Sequence, residues 1–256
     1  MPADHLELFA LPGLPSIQPG DDLVTHILEG IQRAHLTLRE GDILIISSKI
    51  VSKAENRYVD LRTIVPSAEA VKLGEKTRKD PRMVEIVLRE SVRVSRSAPY
   101  VLIVKHRLGF TSANAGIDQS NTGRESGEVV LLLPEDPDQS AARLADEIER
   151  RTGVRPPMII SDTHGRPFRI GNLNVAIGAS GLPVLYDQRG EMDLYGRELQ
   201  ATITAIADEI AAAAGLVTGQ ADEGQPVVLM RGLLLPDDPS GQAVDIIRPP
   251  EQDLYI

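Results

Sequence analysis

The sequence predicts an α+β fold, a mixed α/β arrangement of irregular mixed sheets with packed helices, and three observations carry that prediction. Short apolar runs of strand character, at 42–46 (DILII), 129–133 (VVLLL) and 227–230 (VVLM), are interleaved with segments of helical periodicity. The alternation is irregular, with several hairpin-like neighbours, which argues against a regular doubly wound sheet. Apolar residues make up 42% of the chain but aromatic ones only 3%, with no Trp, so the core is aliphatic.

At 256 residues the chain accommodates one large domain or two small ones. A net charge of -10 argues against a general nucleic-acid binder, which needs clustered Lys and Arg. An acidic enzyme can still bind phosphates through a local basic pocket and a divalent cation. There is no cysteine, which excludes disulfides, thiolate zinc sites and cysteine nucleophiles. No apolar run is long enough to span a bilayer, and the N-terminus (MPADHLELFALPG) lacks a charged-then-apolar signal pattern. A cytoplasmic protein with no membrane and no nucleic-acid partner is the expectation.

Residues 6–10 (LELFA) read as a first strand, closed by a stiff Leu11-Pro12-Gly13-Leu14-Pro15 turn that serves equally as a plain connector. Asp21 or Asp22 caps a helix whose Leu23, Ile27 and Ile31 recur every four residues. The strand 42–46 runs into Ser47-Ser48-Lys49 and on to Ser52-Lys53. Hydroxyls and lysines after a buried strand suit phosphate, although a solvated helix start explains them too, and the glycines of a Walker A loop are missing. Ser67 caps a helix to about Lys79, and Asp80-Pro81 starts another with Met83, Val84, Val87 and Leu88 on its apolar face. Strands follow at 91–97 and 100–104. The stretch 112–121 (SANAGIDQSN) crowds small residues around Asp118 and Asn121 and reads either as an oxygen-ligand loop or as an Asx-rich loop.

Asp138-Gln139-Ser140 opens a helix to Thr152, ended by Gly153. The apolar run Met158, Ile159, Ile160 then stops at Ser161-Asp162-Thr163, followed by a Gly-Arg-Pro turn and two arginines, Arg166 and Arg169. A strand ending in a carboxylate and a hydroxyl presents oxygen ligands at a sheet rim, and the arginines can hold a phosphate or carboxylate. A helix cap or Asx turn is the competing reading of Asp-Thr. Residues 175–177 and 184–185 look extended. A long alanine-rich helix is expected over 196–214, with Leu199, Ile203, Ile206 and Ile210 on one face and Asp208-Glu209 on a solvated one. A glycine-bounded loop, 219–225 (GQADEGQ), precedes the last strand, and the tail from Pro236 carries no domain of its own.

No HExxH, GxSxG or strand-borne GxGxxG is present. What remains is acidic and hydroxyl residues (Asp118, Asp162, Thr163), cations (Lys53, Arg166, Arg169) and glycine-bounded loops. That set fits Mg²⁺ or Mn²⁺ bound by a few oxygens together with substrate phosphates.

The strings GLPSI, SANAGIDQSN, SDTHGRPFRIG, NVAIGASGL and RGEMDLYGRELQATITAIADEIAAAAGLV, in that order, resemble the coenzyme F420-0:γ-glutamyl ligase family from about Leu11 to Gly232. His164 stands where the family pattern has Asn or Phe. The resemblance implies a single ligase domain over 1–256, its tail from about 236 poorly matched, and an intertwined α+β homodimer. It implies a GTP-dependent ligase that adds L-glutamate to coenzyme F420-0, then further γ-linked glutamates, through an acyl phosphate. Carried over residue by residue, Asp118 and Asp162 bind one divalent cation, Mg²⁺ or Mn²⁺, and Thr163 a second, with room for a monovalent cation such as K⁺. Leu14, Pro15, Ser16 and Ile17 form a first nucleotide contact, and Ser48, Lys49 and Lys53 a second. Asn121 touches the nucleotide, and Gly219, Gln220, Ala221, Asp222, Glu223, Gly224 and Gln225 form the third contact, departing in detail from the family pattern. Charge alone, not the resemblance, assigns Arg166 and Arg169 as anchors for the coenzyme phosphate or the glutamate carboxylates.

Two rival readings use the same residues. One is a metal-dependent nucleotide or phosphate hydrolase built on the Asp-Asp-Thr set, and the other is a non-catalytic binding protein.

Overall fold

The computed structural model describes residues 4–124, 127–236 and 239–252. In chain order it forms β1 (Glu7–Ala10), α1 (Leu23–Arg33), β2 (Ile43–Ser47), α2 (Ser48–Ala54), β3 (Tyr58–Asp60), α3 (Ala68–Thr77), α4 (Pro81–Arg89), β4 (Ser91–Ala98), β5 (Val101–His106) and β6 (Thr111–Ala113). Then come β7 (Val129–Leu131), α5 (Pro137–Thr152), β8 (Met158–Arg166), β9 (Arg169–Ser180), β10 (Tyr186–Asp187), β11 (Ile203–Thr204), α6 (Ile206–Thr218) and β12 (Val227–Arg231). The architecture is mixed α+β, as the irregular alternation predicts.

The main sheet runs β1-β12-β2-β8-β9, antiparallel throughout except for the parallel β2–β8 pair. Its strands are apolar on both faces because both faces are covered. Leu44, Ile46, Met158, Ile160, Val227 and Leu229 pack with α1, α2 and α5. The alternate residues Ile43, Ile45, Ile159, Val228 and Met230 pack with α6. Alanines 207, 211 and 214 are fully buried there, so α6 lies close on the sheet. A third core joins α3 and α4 to the sheet β4-β5-β6 and to the β3–β7 pair. Helix starts follow the capping chemistry: Asp22, Ser67 and Asp80 each accept a backbone N–H of the first turn.

The structure corrects four expectations. The helix expected over 196–214 begins only at Ile206. Upstream, Gly196 has φ +78°, the Asp193 carboxylate accepts the Tyr195 and Arg197 N–H groups, and β-branched Ile203 and Thr204 pair with Tyr186 and Asp187. Local turn chemistry and β-branching thus override the alanine-rich pattern. Asp208 is not on a solvated face: its Oδ1 accepts the Ala176 N–H at 2.9 Å, and burial pushes its carboxyl up. β8 does not stop at Ser161 but runs to Arg166, because β9 pairs with it along its whole length around a Pro167-Phe168 turn. Asp136, not Asp138, caps α5; Asp138 is half-buried and accepts the Ala179 and Ala243 N–H groups. That contact fastens the 243–246 turn of the tail onto the body.

Candidate functional site

The parallel neighbours β2 and β8 are in register from Leu44–Met158 to Ser47–Ser161. There β2 ends and α2 begins, while β8 continues with only β9 beside it. The carboxyl ends of parallel strands are where open sheets leave a crevice. A register shift between Ile160 and Ser161 marks a bulge as β8 leaves the core. The next residues, Asp162 and Thr163, line a cavity of about 780 Å³.

Residues from distant parts of the sequence meet in this cavity. Leu14, Pro15, Ser16 and Ile17 form one wall, and Ser48, Lys49 and Lys53 of α2 another. Asp118 and Asn121 come from the loop after β6, and Gly219, Gln220, Ala221, Asp222, Glu223, Gly224 and Gln225 close the far side. Arg166 and Arg169 do not line it; they flank the β8–β9 turn, paired across the ladder. Sequence reading missed Asn172 and Asn174, also in the lining. Their signal is the alternation Asn-Leu-Asn inside β9, which puts both polar side chains on one face, Asn174 opposite Thr163.

Each carboxylate is oriented by named donors. Asp162 Oδ1 accepts from Ser48 Oγ at 3.0 Å, and its Oδ2 lies 3.0 Å from His164 Nε2. Asp118 Oδ2 pairs with Lys49 Nζ at 2.7 Å, and Oδ1 accepts from Ser120 N and Oγ. Gly116, at φ +65°, lies against Asp162, and a Cβ there would sit 2.7 Å from Leu133 Cδ1, so only glycine fits. Lys53 is buried; that burial, with the like charge of Lys49 beside it, holds its ammonium below the usual lysine range. Asn121 Nδ2 donates to the Ala221 carbonyl at 3.1 Å, which closes the 219–225 loop over the cavity. Glu223 caps that loop from within by accepting its own and the Ala221 N–H, and these bonds hold its carboxyl below the usual range.

Thr163 Oγ1 lies 3.1 Å from both Asn174 Oδ1 and Gln220 Oε1. The groups around Asp118, Asp162 and Thr163 combine carboxylate, hydroxyl and amide oxygens with the nitrogens of Lys49 and His164; the oxygens are of the kind that suits Mg²⁺ or Mn²⁺ sharing ligands with a phosphate. Among the described residues no three His, Cys, Asp or Glu converge into a group that could hold a metal ion. Two carboxylates, two lysines and backbone-rich loops meet in one cleft at a strand end, an arrangement with the charges that phosphate chemistry needs.

Comparison with known proteins makes the assignment specific. The F420-0:Gamma-glutamyl ligase family model matches residues 13–232. Coenzyme F420:L-glutamate ligase of Methanopyrus kandleri is 47% identical over 253 residues, 98% of this chain and 97% of that protein. The ligase of the same name from Methanothermobacter thermautotrophicus is 43% identical over 98% of both chains, and that of Methanocaldococcus jannaschii 43% identical over 87% of both. The chain belongs to the F420-0:γ-glutamyl ligase family, a family of ligases. The hydrolase reading gains no support from these relatives. No helix among the described residues is long and apolar enough to cross a membrane.

Proposed function

We propose that this chain is a GTP-dependent ligase that joins the amino group of L-glutamate to the terminal carboxylate of coenzyme F420-0 and then adds further γ-linked glutamates. The observation that carries the reading is the convergence of three separate chain segments, around 14–17, 48–53 and 219–225, on one cavity with Asp118 and Asp162. Lys49 and Lys53, both in the cavity lining, are assigned to the phosphates of GTP. Asp118 and Asp162 would hold one Mg²⁺ or Mn²⁺ and Thr163 a second; bound there, the cation would offset charge between the phosphates. A carboxylate oxygen of the acceptor attacks the γ-phosphorus, GDP leaves, and an acyl phosphate results. The glutamate nitrogen attacks its carbonyl carbon, phosphate leaves, and the amine proton passes to solvent. Arg166 and Arg169 are assigned to the coenzyme phosphate or a glutamate carboxylate, and Ala at either position raises the apparent KM for an anionic substrate.

The deciding experiment is mass spectrometry of coenzyme F420-0 incubated with protein, GTP, L-glutamate and Mg²⁺ or Mn²⁺, with single-component omissions. A gain of glutamate units that needs every component supports the ligase; loss of GTP without adduct overturns it. We also assign a homodimer. Its support is the apolar surface of the β8–β9 turn and the 192–195 segment, where Phe168, Ile170, Leu194 and Tyr195 are almost fully exposed.

A further inference from the structure

The outer face of the β4-β5-β6 sheet carries a row of cations without counter-ions among the described residues. The inner face holds Leu102, Val104, His106 and Ser112, all buried. The outer face is fixed by the ladder: Arg93 stands opposite Lys105, which stands opposite Thr111, and Arg96 opposite Ile103, which stands opposite Ala113. Arg93 and Lys105 are like charges on adjacent strands, an arrangement that destabilises a sheet unless something anionic relieves it. In a chain of net charge -10, neither they nor Arg96 makes a hydrogen bond or an ion pair among the described residues. By contrast Arg57, Arg62, Arg82, Arg89 and Arg107, around the same small core, are all paired with acids.

The position of this row points to its ligand. β6 is the sheet edge nearest the cavity, and its Ala113, on the same outer face, lines the cavity. Arg96 stands two strand spacings from Ala113, about 10 Å, and Arg93 and Lys105 lie in the next row along the same face, aligned with Thr111. Each ligation consumes one carboxylate and brings two, so every turnover adds one negative charge to the acceptor. We propose that Arg93, Arg96 and Lys105 form an exit subsite that holds the oligo-γ-glutamate tail as it leaves the cavity. The proposal rests on the ligase reading above. The subsite is salt-screened and acts on acceptors that already carry glutamate, not on the first addition.

The test compares wild type with the R93Q/R96Q/K105Q triple variant, using Lys72→Gln on α3 as a control that removes a surface cation away from the row. Two readouts are taken: calorimetric titration with γ-linked triglutamate, and mass spectrometry of product tail lengths. The expected result is triglutamate binding weakened at least tenfold in the triple variant only, a first glutamate added at a rate within twofold of wild type, and products shifted to one or two glutamates. Wild type that does not bind triglutamate, or tail lengths identical in both proteins, overturns the subsite while leaving the ligase intact. Absence of any glutamate adduct from wild type instead overturns the ligase reading.

Discussion

His164 Nε2 donates to Asp162 Oδ2 at 3.0 Å, and the imidazole is itself packed against the Phe110 ring, centroids 4.8 Å apart. With Ser48 on the other oxygen, both rotational ends of this carboxylate are fixed. His164→Phe keeps the packing and removes the donor. The expected outcome is a Mn²⁺ affinity about tenfold weaker, read by electron paramagnetic titration without substrates, and recovery in His164→Gln, which can still donate. Superimposable titrations of wild type and the Phe variant would refute an orienting role.

Asp42 is 1% exposed and receives Arg231 in a fork, Nε to Oδ1 and Nη2 to Oδ2, each 2.7 Å. The pair locks the end of β12 to the start of β2. Arg231→Met strands a buried charge and should cost about 3–5 kcal/mol in urea unfolding. Asp42→Leu combined with Arg231→Met should recover much of that loss, because no buried charge then remains.

His106 is fully buried between Phe110, stacked at 5.0 Å, and the Glu90–Arg57–Arg107 group. Its Nδ1 accepts the Leu108 N–H, so the proton sits on Nε2, which has no hydrogen-bond partner. Glu90, 3.8 Å away, is already neutralised by two arginines and does not draw a second proton onto the ring. Burial, then the Arg107 charge, push the imidazole from 6.5 down to about 4. Above pH 6.5 it is neutral in both folded and unfolded chains. Between 6.5 and about 4 only the unfolded chain takes the proton, so stability falls as pH falls, by about 3 kcal/mol in all. Unfolding free energies measured from pH 7.5 to 4.5 should lose this slope in His106→Phe; equal slopes would exclude His106 as the source.

The exposed apolar residues of the β8–β9 turn and the 192–195 segment should hold two copies together. Ile170→Ser with Leu194→Ser should convert the dimer to a monomer in light scattering coupled to gel filtration. A wild-type monomer at micromolar concentration would remove the homodimer from the assignment.

β2, β12, the buried half of β8 and most helices were legible because burial on both sheet faces writes continuous aliphatic runs, and Asp22, Ser67 and Asp80 cap by local chemistry alone; β9 read as extended only over 175–177, and β3, β10 and β11 not at all. The stretch 196–205, read as the first half of a helix, was not legible: its leucine and isoleucine spacing is real, but the Asp193 turn, Gly196 at φ +78° and the pairing of Ile203 and Thr204 with Asp187 and Tyr186 override it. At the site, the residues carried over from the family resemblance meet in one cavity, whereas Asn172 and Asn174 stayed hidden inside an apparently structural strand. Arg166 and Arg169, chosen by charge alone, sit on the turn instead of in the lining, since a β-hairpin of this length carries its tip away from its base.

The order of strands in the main sheet also sets when this protein can fold. β12, near the end of the chain, lies between β1 and β2. A nascent chain short of Val227 therefore leaves the ribosome with aliphatic β2 and the shorter β1 lacking the partner between them, and their open edges can recruit other chains. The sheet closes only after Val227–Arg231 has been synthesised. The interval before that is when aggregation threatens most and when a chaperone has the most to shield.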